Sequence, residues 1–369
     1  MARQRAACSK RLRQVESKTG LETSLFDFTL PPGLIAKKPL QERDSSRLLV
    51  LSETGPVHSS FSSLPDFMSE GDALVLNETR VMPVRLIGEK PTGGKLDVLL
   101  VKKKQDGSRW DALWKGRYTG WLKIGEGLSV FLNEDREAEL VCQGGPDRAL
   151  KEHGLMPLPP YIKRKPIPED GKWYQTVYAS REGSIAAPTA GLHFTPRLLE
   201  KLSARGVRIL KIVLHVGRGT FMPVKAGNLA EHLMLPEEFE IPLQVLDEIN
   251  RVKGAGKKIF AVGTTVTRAL EGYLSGQYQP LPAVSPQTVR GQTDIFIRPG
   301  HKFQAVDRLI TNFHLPKSTP LVLASALAGR GRLLGAYKEA ISLNYRFFSF
   351  GDAMLIFGCG NGDESSAPS

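Results

Sequence analysis

From Asp72 to Val141 the chain alternates short apolar segments with glycine-bearing turns, and this texture limits its architecture more than any other feature. Segments 73–76, 84–87, 96–101, 111–114, 128–131 and 139–141 each read as a short strand. Strands at such regular spacing predict a small antiparallel barrel or sandwich, which Gln143-Gly-Gly-Pro-Asp147 brings to an end. Past Pro157-Leu-Pro-Pro160 the pattern becomes helix alternating with strand. Thr195 caps and Pro196 opens a helix over 196–205, Gly206 stops it, and a strand follows over 207–215. A second unit runs from a helix over 243–253 to a strand over 258–262, and Gly263-Thr-Thr265 opens a helix over 266–274. Residues 295–297 read as strand, and 321–328 and 334–343 as helices.

The expected fold is therefore a mixed α/β main domain carrying an inserted antiparallel β-barrel. The α/β part is discontinuous, 21–65 and 152–357, and the barrel spans 66–151. Residues 1–20 hold six basic side chains against Glu16 and no apolar core, unlike a secretory signal; they read as a disordered basic extension. Residues 358–369 read as a disordered tail.

Cys8, Cys142 and Cys359 lie far apart, which argues against a disulfide framework or a thiolate zinc site and fits a reducing cytoplasm. No apolar run is long enough to span a membrane. The formal net charge of +12 favours a polyanionic partner, although the first 20 residues supply part of it. Lys163, Arg164 and Lys165 beside Tyr161, Trp173 and Tyr174 can hold a nucleic-acid backbone while stacking bases, or simply cover a Trp-anchored core.

The chemistry concentrates between Ala186 and Thr220. Ser184-Ile-Ala-Ala-Pro-Thr-Ala-Gly-Leu-His-Phe-Thr195 sets Thr189, Gly191 and His193 just before a helix start, where small residues let backbone approach a ligand and amides favour an anion. Leu214-His-Val-Gly-Arg-Gly-Thr-Phe221 places His215 at a strand's C-terminal end, followed by Gly217 and Thr220. Its G-x-G is not a dinucleotide fingerprint, since the third glycine and the helix are missing. Thr264 and Thr265 begin a helix and can cradle a carboxylate or phosphate. Thr311-Asn-Phe-His-Leu-Pro316 adds His314, and Glu231-His232 precedes Glu237 and Glu238. Asn77, Thr79, Arg80 and Arg85 can contact phosphate or carboxylate, or belong to a solvated hairpin. Taken singly, the Glu231-His232, Gly263–Thr265 and Thr311–Pro316 elements are explained by capping or core packing, whereas the setting of His193 favours function. No H-x-x-x-H, H-E-x-x-H or G-x-S-x-G occurs, so neither a metal nor a serine hydrolase is expected.

Together these stretches resemble one family, the S-adenosylmethionine:tRNA ribosyltransferase-isomerases of queuosine biosynthesis. The resemblance rests on Leu34-Ile-Ala36 with Arg47-Leu-Leu49, Asn77-Glu-Thr-Arg-Val81, Thr92-Gly-Gly94 and Ala187-Pro-Thr-Ala-Gly-Leu-His-Phe-Thr195. It continues through Leu214-His-Val-Gly217, Gly219-Thr-Phe221, Ala261-Val-Gly-Thr-Thr265, Thr311-Asn-Phe-His-Leu-Pro316 and Tyr345-Arg-Phe-Phe-Ser-Phe-Gly-Asp-Ala-Met354. It covers nearly all of 21–357.

The resemblance implies a cytoplasmic bacterial enzyme, here expected as a monomer, with S-adenosylmethionine as ribosyl donor and no metal. It implies transfer and isomerisation of the ribosyl group onto 7-aminomethyl-7-deazaguanine at the tRNA wobble position. The products are epoxyqueuosine-tRNA, adenine and methionine. Such chemistry needs a base for the acidified C5′ protons and an acid for adenine, for which His193, His215 and His314 are the candidates. Asn77, Arg80, Thr189, Gly191, Gly217, Thr220, Thr264, Thr265 and Asp352 are the candidate substrate contacts. The sequence departs from the family's His-x-Met-His-x-Glu at His232-Leu-Met-Leu-Pro-Glu237, where Leu235 replaces a histidine and Pro236 follows it. The histidine replaced by Leu235 is read as one that acts through its neighbours, so that activity is retained but tuned. Val84 and Asp97 are milder departures. Two rival readings remain: a metal-dependent nucleoside or phosphoester hydrolase, and a non-catalytic RNA-binding protein.

Overall fold

The computed structural model describes residues 21–104, 106–217, 224 and 226–358. The basic extension, all but one residue of the C-terminal tail, and Thr220 lie outside them. Eighteen strands are placed. In chain order they begin with β1 (Arg47–Ser52), β2 (Gly55–Ser60), β3 (Ala73–Asn77), β4 (Thr79–Val81), β5 (Arg85–Glu89) and β6 (Lys95–Lys103). They continue as β7 (Arg109–Trp114), β8 (Gly120–Gly125), β9 (Leu128–Leu132), β10 (Glu137–Cys142), β11 (Arg181–Ser184) and β12 (Arg208–Leu214). The last are β13 (Glu237–Pro242), β14 (Ile259–Val262), β15 (Gln279–Pro280), β16 (Thr288–Thr293), β17 (Arg308–Asn312) and β18 (Ala353–Phe357). The helices used below are α1 (Pro146–His153), α2 (Pro196–Ala204), α3 (Leu243–Gly254), α4 (Thr264–Leu274), α5 (Thr319–Ala328) and α6 (Arg330–Ser342).

The chain divides into two compact units. One gathers the described residues of Met1–Glu78, Pro188–Leu214 and Gly219–Ser369; the other is Thr79–Ala187 with His215–Arg218. The first is built on a sheet ordered β15-β16-β13-β12-β3-β14-β17-β18-β1-β2. Its centre is parallel, β12 on β3, β3 on β14 and β14 on β17, and antiparallel pairs lie outside it. Every residue of β3 and of β14 is buried, as expected of strands covered on both faces. The mixed α/β class expected from the sequence is the one observed.

The second unit holds a closed barrel, β10-β7-β6-β5-β8-β9. Alternation along its strands sends Leu86, Val98, Leu100, Leu122, Val130 and Leu140 inward, and Ala149 and Leu150 of α1 complete that core. Two details differ from the sequence reading. Residues 73–76, expected in the barrel, form the middle of the large sheet, because an unbroken apolar run suits a strand buried on both faces and not one facing water. The barrel strand β8 was not expected: Leu122 and partly buried Ile124 face the core, but exposed Trp121 beside them obscures the alternation.

Residues 295–297 form no strand. Ile295 and Ile297 are buried, but the Ile295 carbonyl accepts from Arg268 Nε at 3.2 Å, so a side chain takes the place of a ladder partner. The acidic stretch at 237 is a strand, β13, in which buried Glu237 pairs with Arg268 of α4. The cap of α2 is as expected. Thr195 Oγ1 accepts from the Leu198 amide at 3.2 Å and donates to Asp44 Oδ2 at 2.9 Å. Thr195→Ala should therefore lower the stability of this unit by about 1 kcal/mol or slightly more, read as a shift in the urea midpoint at constant slope. An unchanged midpoint would mean the cap is redundant.

Candidate functional site

Because β12, β3, β14 and β17 run parallel, their C-terminal ends lie on one edge of the sheet, the edge where α/β proteins hold ligands. Asn77 ends β3 there and is fully buried. Its Oδ1 accepts from the Leu214 amide at 3.1 Å, and its Nδ2 donates to the Leu214 carbonyl at 2.9 Å and to Thr265 Oγ1 at 3.3 Å. The amide thus joins the ends of two strands to the first turn of α4. Asn77, expected to touch substrate, makes these bonds within the protein and acts as a positioning residue. Gly263, with φ of +90°, turns the chain from β14 into α4 and sets Thr264 and Thr265 at the helix start.

At the end of β17, Asn312 meets the 3-10 helix Thr189–His193. Thr189 Oγ1 donates to Asn312 Oδ1 at 2.8 Å, and Asn312 Nδ2 contacts His193 Nε2 at 3.0 Å. An amide nitrogen only donates, so Nε2 accepts and the ring proton sits on Nδ1, donated to Ser46 Oγ at 2.8 Å. The imidazole is 4% exposed and stacks on Phe61, with ring centres 5.0 Å apart. Burial, then the charges of Arg346 and Arg43, push its pKa down to about 3. His193 is therefore a neutral group with both nitrogens engaged, and it does not suit the proton-transfer role expected of it. Gly191, in the same short helix, is buried and donates its amide to the Pro188 carbonyl at 2.8 Å.

His314 is similar. Its Nε2 bonds the Thr311 hydroxyl at 2.7 Å, its amide donates to the Tyr337 hydroxyl at 2.9 Å, and burial pushes its pKa down to about 3. Asp352 is 1% exposed and fully committed to the fold. Oδ1 accepts from the Arg47 amide at 3.0 Å, while Oδ2 accepts from Arg47 Nε at 3.1 Å and the Arg346 amide at 2.8 Å. It holds two arginines in place where a substrate contact was expected.

In the other unit, His215 Nδ1 lies 3.0 Å from Thr79 Oγ1, a bond that orients the ring. The segment that carries it is strapped down by the Val216 amide, which donates to Ser184 Oγ at 2.7 Å. Gly183, φ +145°, lies under the ring, and a Cβ there would stand 2.6 Å from His215 Cε1. The glycine is what lets the imidazole rest on β11. Gly217 follows in the same segment, and Arg80 on neighbouring β4 donates from Nη2 to the Ala179 carbonyl at 2.9 Å. His215 is partly exposed, unlike His193.

Arg164 is drawn away from any nucleic-acid role by buried Asp170, whose carboxylate it meets with both Nη atoms at 2.7 and 2.5 Å. Lys163 and Lys165 stay exposed. The departing segment lies beside α4 and α5, where Met234 lines a cavity of about 10 Å³ with Thr264, Thr265 and Phe296. His232 packs edge-on to Phe296 and Leu235 is 37% exposed. Among the described residues no group of three or more His, Cys, Asp or Glu side chains is arranged to hold a metal ion, and no helix is long and apolar enough to cross a membrane. Sequence reasoning missed Ser46, Asn312, Arg43, Arg346 and Gly183. Apart from Arg43, which lies four residues before Arg47, their only local signal is their place inside the quoted motifs or one residue from them.

Against known proteins, a family model described as "Queuosine biosynthesis protein" matches residues 23–356. A relative from Thermodesulfovibrio yellowstonii, named S-adenosylmethionine:tRNA ribosyltransferase-isomerase, is 51% identical over 340 residues, covering 90% of this chain and 98% of its own. One of the same name from Halothermothrix orenii is 49% identical, with 90% and 98% covered. The crystal structure of S-adenosylmethionine tRNA ribosyltransferase from Thermotoga maritima matches with a TM-score of 0.52 and 34% identity, over 90% of this chain and all of that one.

Proposed function

The chain belongs to the queuosine biosynthesis protein family, and from that premise we propose that it is an S-adenosylmethionine:tRNA ribosyltransferase-isomerase. The observation that carries this reading is the 51% identity over 98% of a relative of that name, which leaves no part of the relative's machinery unmatched in bulk. Nothing in the relatives' names supports the hydrolase or the RNA-binding alternative.

The acceptor is 7-aminomethyl-7-deazaguanine at the wobble position, and the products are epoxyqueuosine-tRNA, adenine and methionine. The sulfonium of the donor acidifies the C5′ protons, so a base of near-neutral pKa removes one, and adenine leaves readily only when protonated. The attacking amine reacts in its neutral form. His215 is the histidine suited to carry protons, oriented by Thr79 and supported by Gly183. His193 and His314, held neutral, instead act as fixed hydrogen-bonding groups that keep Ser46, Asn312 and Thr311 in position. Thr264 and Thr265 at the α4 N-terminus suit an anionic end of a substrate. Arg80, Gly217 and Thr220 remain candidates for tRNA or donor contact. We place the enzyme in the cytoplasm, as a monomer that needs no metal.

The test mixes purified protein, S-adenosylmethionine and tRNA bearing the deazaguanine base. Adenine should appear in step with modified nucleoside and persist in the presence of a chelator. No adenine above background would overturn the assignment.

A further inference from the structure

Arg346 Nη1 is buried and has no hydrogen-bond partner. Elsewhere in that residue, the amide donates to Asp352 Oδ2 at 2.8 Å, and Nη2 donates to the Lys38 carbonyl at 2.6 Å. Asp352 lies near enough to favour the guanidinium charge, yet its oxygens bond Arg47 and the Arg346 backbone. A buried charged N–H left unsatisfied carries an uncompensated desolvation cost, and folds keep such groups where a ligand completes them.

The position of the orphan atom matters as much as its lack of a partner. Arg346 and Arg43 both bear on the His193 imidazole, and burial disfavours the charge of each arginine. Arg43 opens the 3-10 helix Arg43–Ser45, and the next residue, Ser46, holds His193 Nδ1. Two cations therefore converge on the wall formed by His193 and Asn312. A neutral histidine there adds no third charge and keeps its one donor, Nδ1–H, on Ser46. Such a wall attracts an oxyanion and repels a sulfonium, so it suits the end of the donor remote from sulfur.

We propose that Arg346, with Arg43 beside it, binds the carboxylate of the amino-acid end of S-adenosylmethionine. Arginine suits this role because its planar fork matches a carboxylate. A phosphate of the tRNA backbone is the other source of an oxyanion. A buried guanidinium nitrogen is reached by a terminal carboxylate, whereas a backbone phosphate brings its neighbouring sugars with it. The inference rests on the function proposed above.

The experiment measures adenine release at saturating tRNA for the wild type, Arg346→Gln and Arg346→Lys. The donors are S-adenosylmethionine and its decarboxylated analogue. The wild type should favour the carboxylated donor, and Arg346→Gln should lower kcat/KM for it by about 10- to 100-fold, chiefly through KM. With the decarboxylated donor, Arg346→Gln should match the wild type, and Arg346→Lys should keep part of the preference. The KM for tRNA and its salt dependence should not change. Equal losses with both donors would make Arg346 a structural residue and overturn the proposal. So would a raised tRNA KM with a shallower salt slope, which marks a phosphate contact. Should Arg346→Gln fail to fold, Arg346→Lys decides through the ratio between donors. Absence of adenine from the wild type would instead defeat the underlying function.

Discussion

Replacing His215 by alanine is expected to slow adenine release by about 100- to 10,000-fold at saturating substrates, the usual worth of a positioned acid–base group. The expectation follows from elimination among three histidines. His193 has both nitrogens committed to Ser46 and Asn312, and His314 is tied to Thr311; each is pushed down to about 3. A group that far below neutrality spends its time unprotonated and cannot supply a proton to departing adenine near pH 7. The His215 ring is partly exposed and oriented by the Thr79 hydroxyl. Gly183→Ala supplies an independent check, since its Cβ would stand 2.6 Å from the ring. It should displace the imidazole and reduce kcat in the same direction by a smaller factor. The circular dichroism and melting point of His215→Ala should remain those of the wild type. Near-normal adenine release from that variant would remove His215 from the chemistry.

The second large effect is a loss of stability in mild acid. His193 and His314 have folded-state values near 3, while an unfolded histidine titrates near 6.5. Between those values the unfolded chain binds protons that the folded chain refuses, so stability falls as pH falls. The contribution is complete above about 6.5 and is lost progressively toward 3. From pH 7 to pH 5 buried His193 should cost about 2 kcal/mol, and partly exposed His314 at most as much again. Half-buried His232, lowered by burial, pushes weakly the same way. The lowered carboxylates Glu271 and Glu137 act below this window, because ordinary glutamate titrates near 4.5. Urea unfolding at the two pH values measures the change. His193→Asn should remove roughly half of the slope or more. A midpoint that stays flat between pH 7 and pH 5 would show that neither imidazole is held neutral.

What could be read from the sequence was mostly local. Thr195 and Pro196 announce α2 because cap and first turn are adjacent, and Gly263 marks the entry to α4 for the same reason. The cores of β6, β9 and β10 show their alternation directly. The site is less legible because its bonds join distant positions. Ser46 and His193 stand 147 residues apart, and Asn312 and His193 stand 119 apart. No periodicity carries such a pairing, so the motifs pointed to His193 without revealing that it is locked and neutral. Asp352 and Asn77 were found as polar residues in suggestive company. Only their partners show that they fasten arginines and strand ends. The pairing of Arg268 with Glu237 has no sequence signal, and their burial depends on β13 lying against α4.

The place of β3 at the middle of the large sheet has a consequence for synthesis. Its neighbours are β12 and β14, with Ala73 opposite Arg208 on one side and Ile259 on the other. A ribosome has thus released the whole of β5 through β10 before either neighbour of β3 exists. The barrel, whose strands mostly pair with near neighbours in sequence, can close early. Ala73-Leu-Val-Leu-Asn77 must meanwhile wait as an unpaired apolar strand, the kind of edge that nascent chains join to one another. The interval of greatest aggregation risk for this protein falls during translation of roughly residues 80–260, where slow codons or a missing chaperone should be felt most.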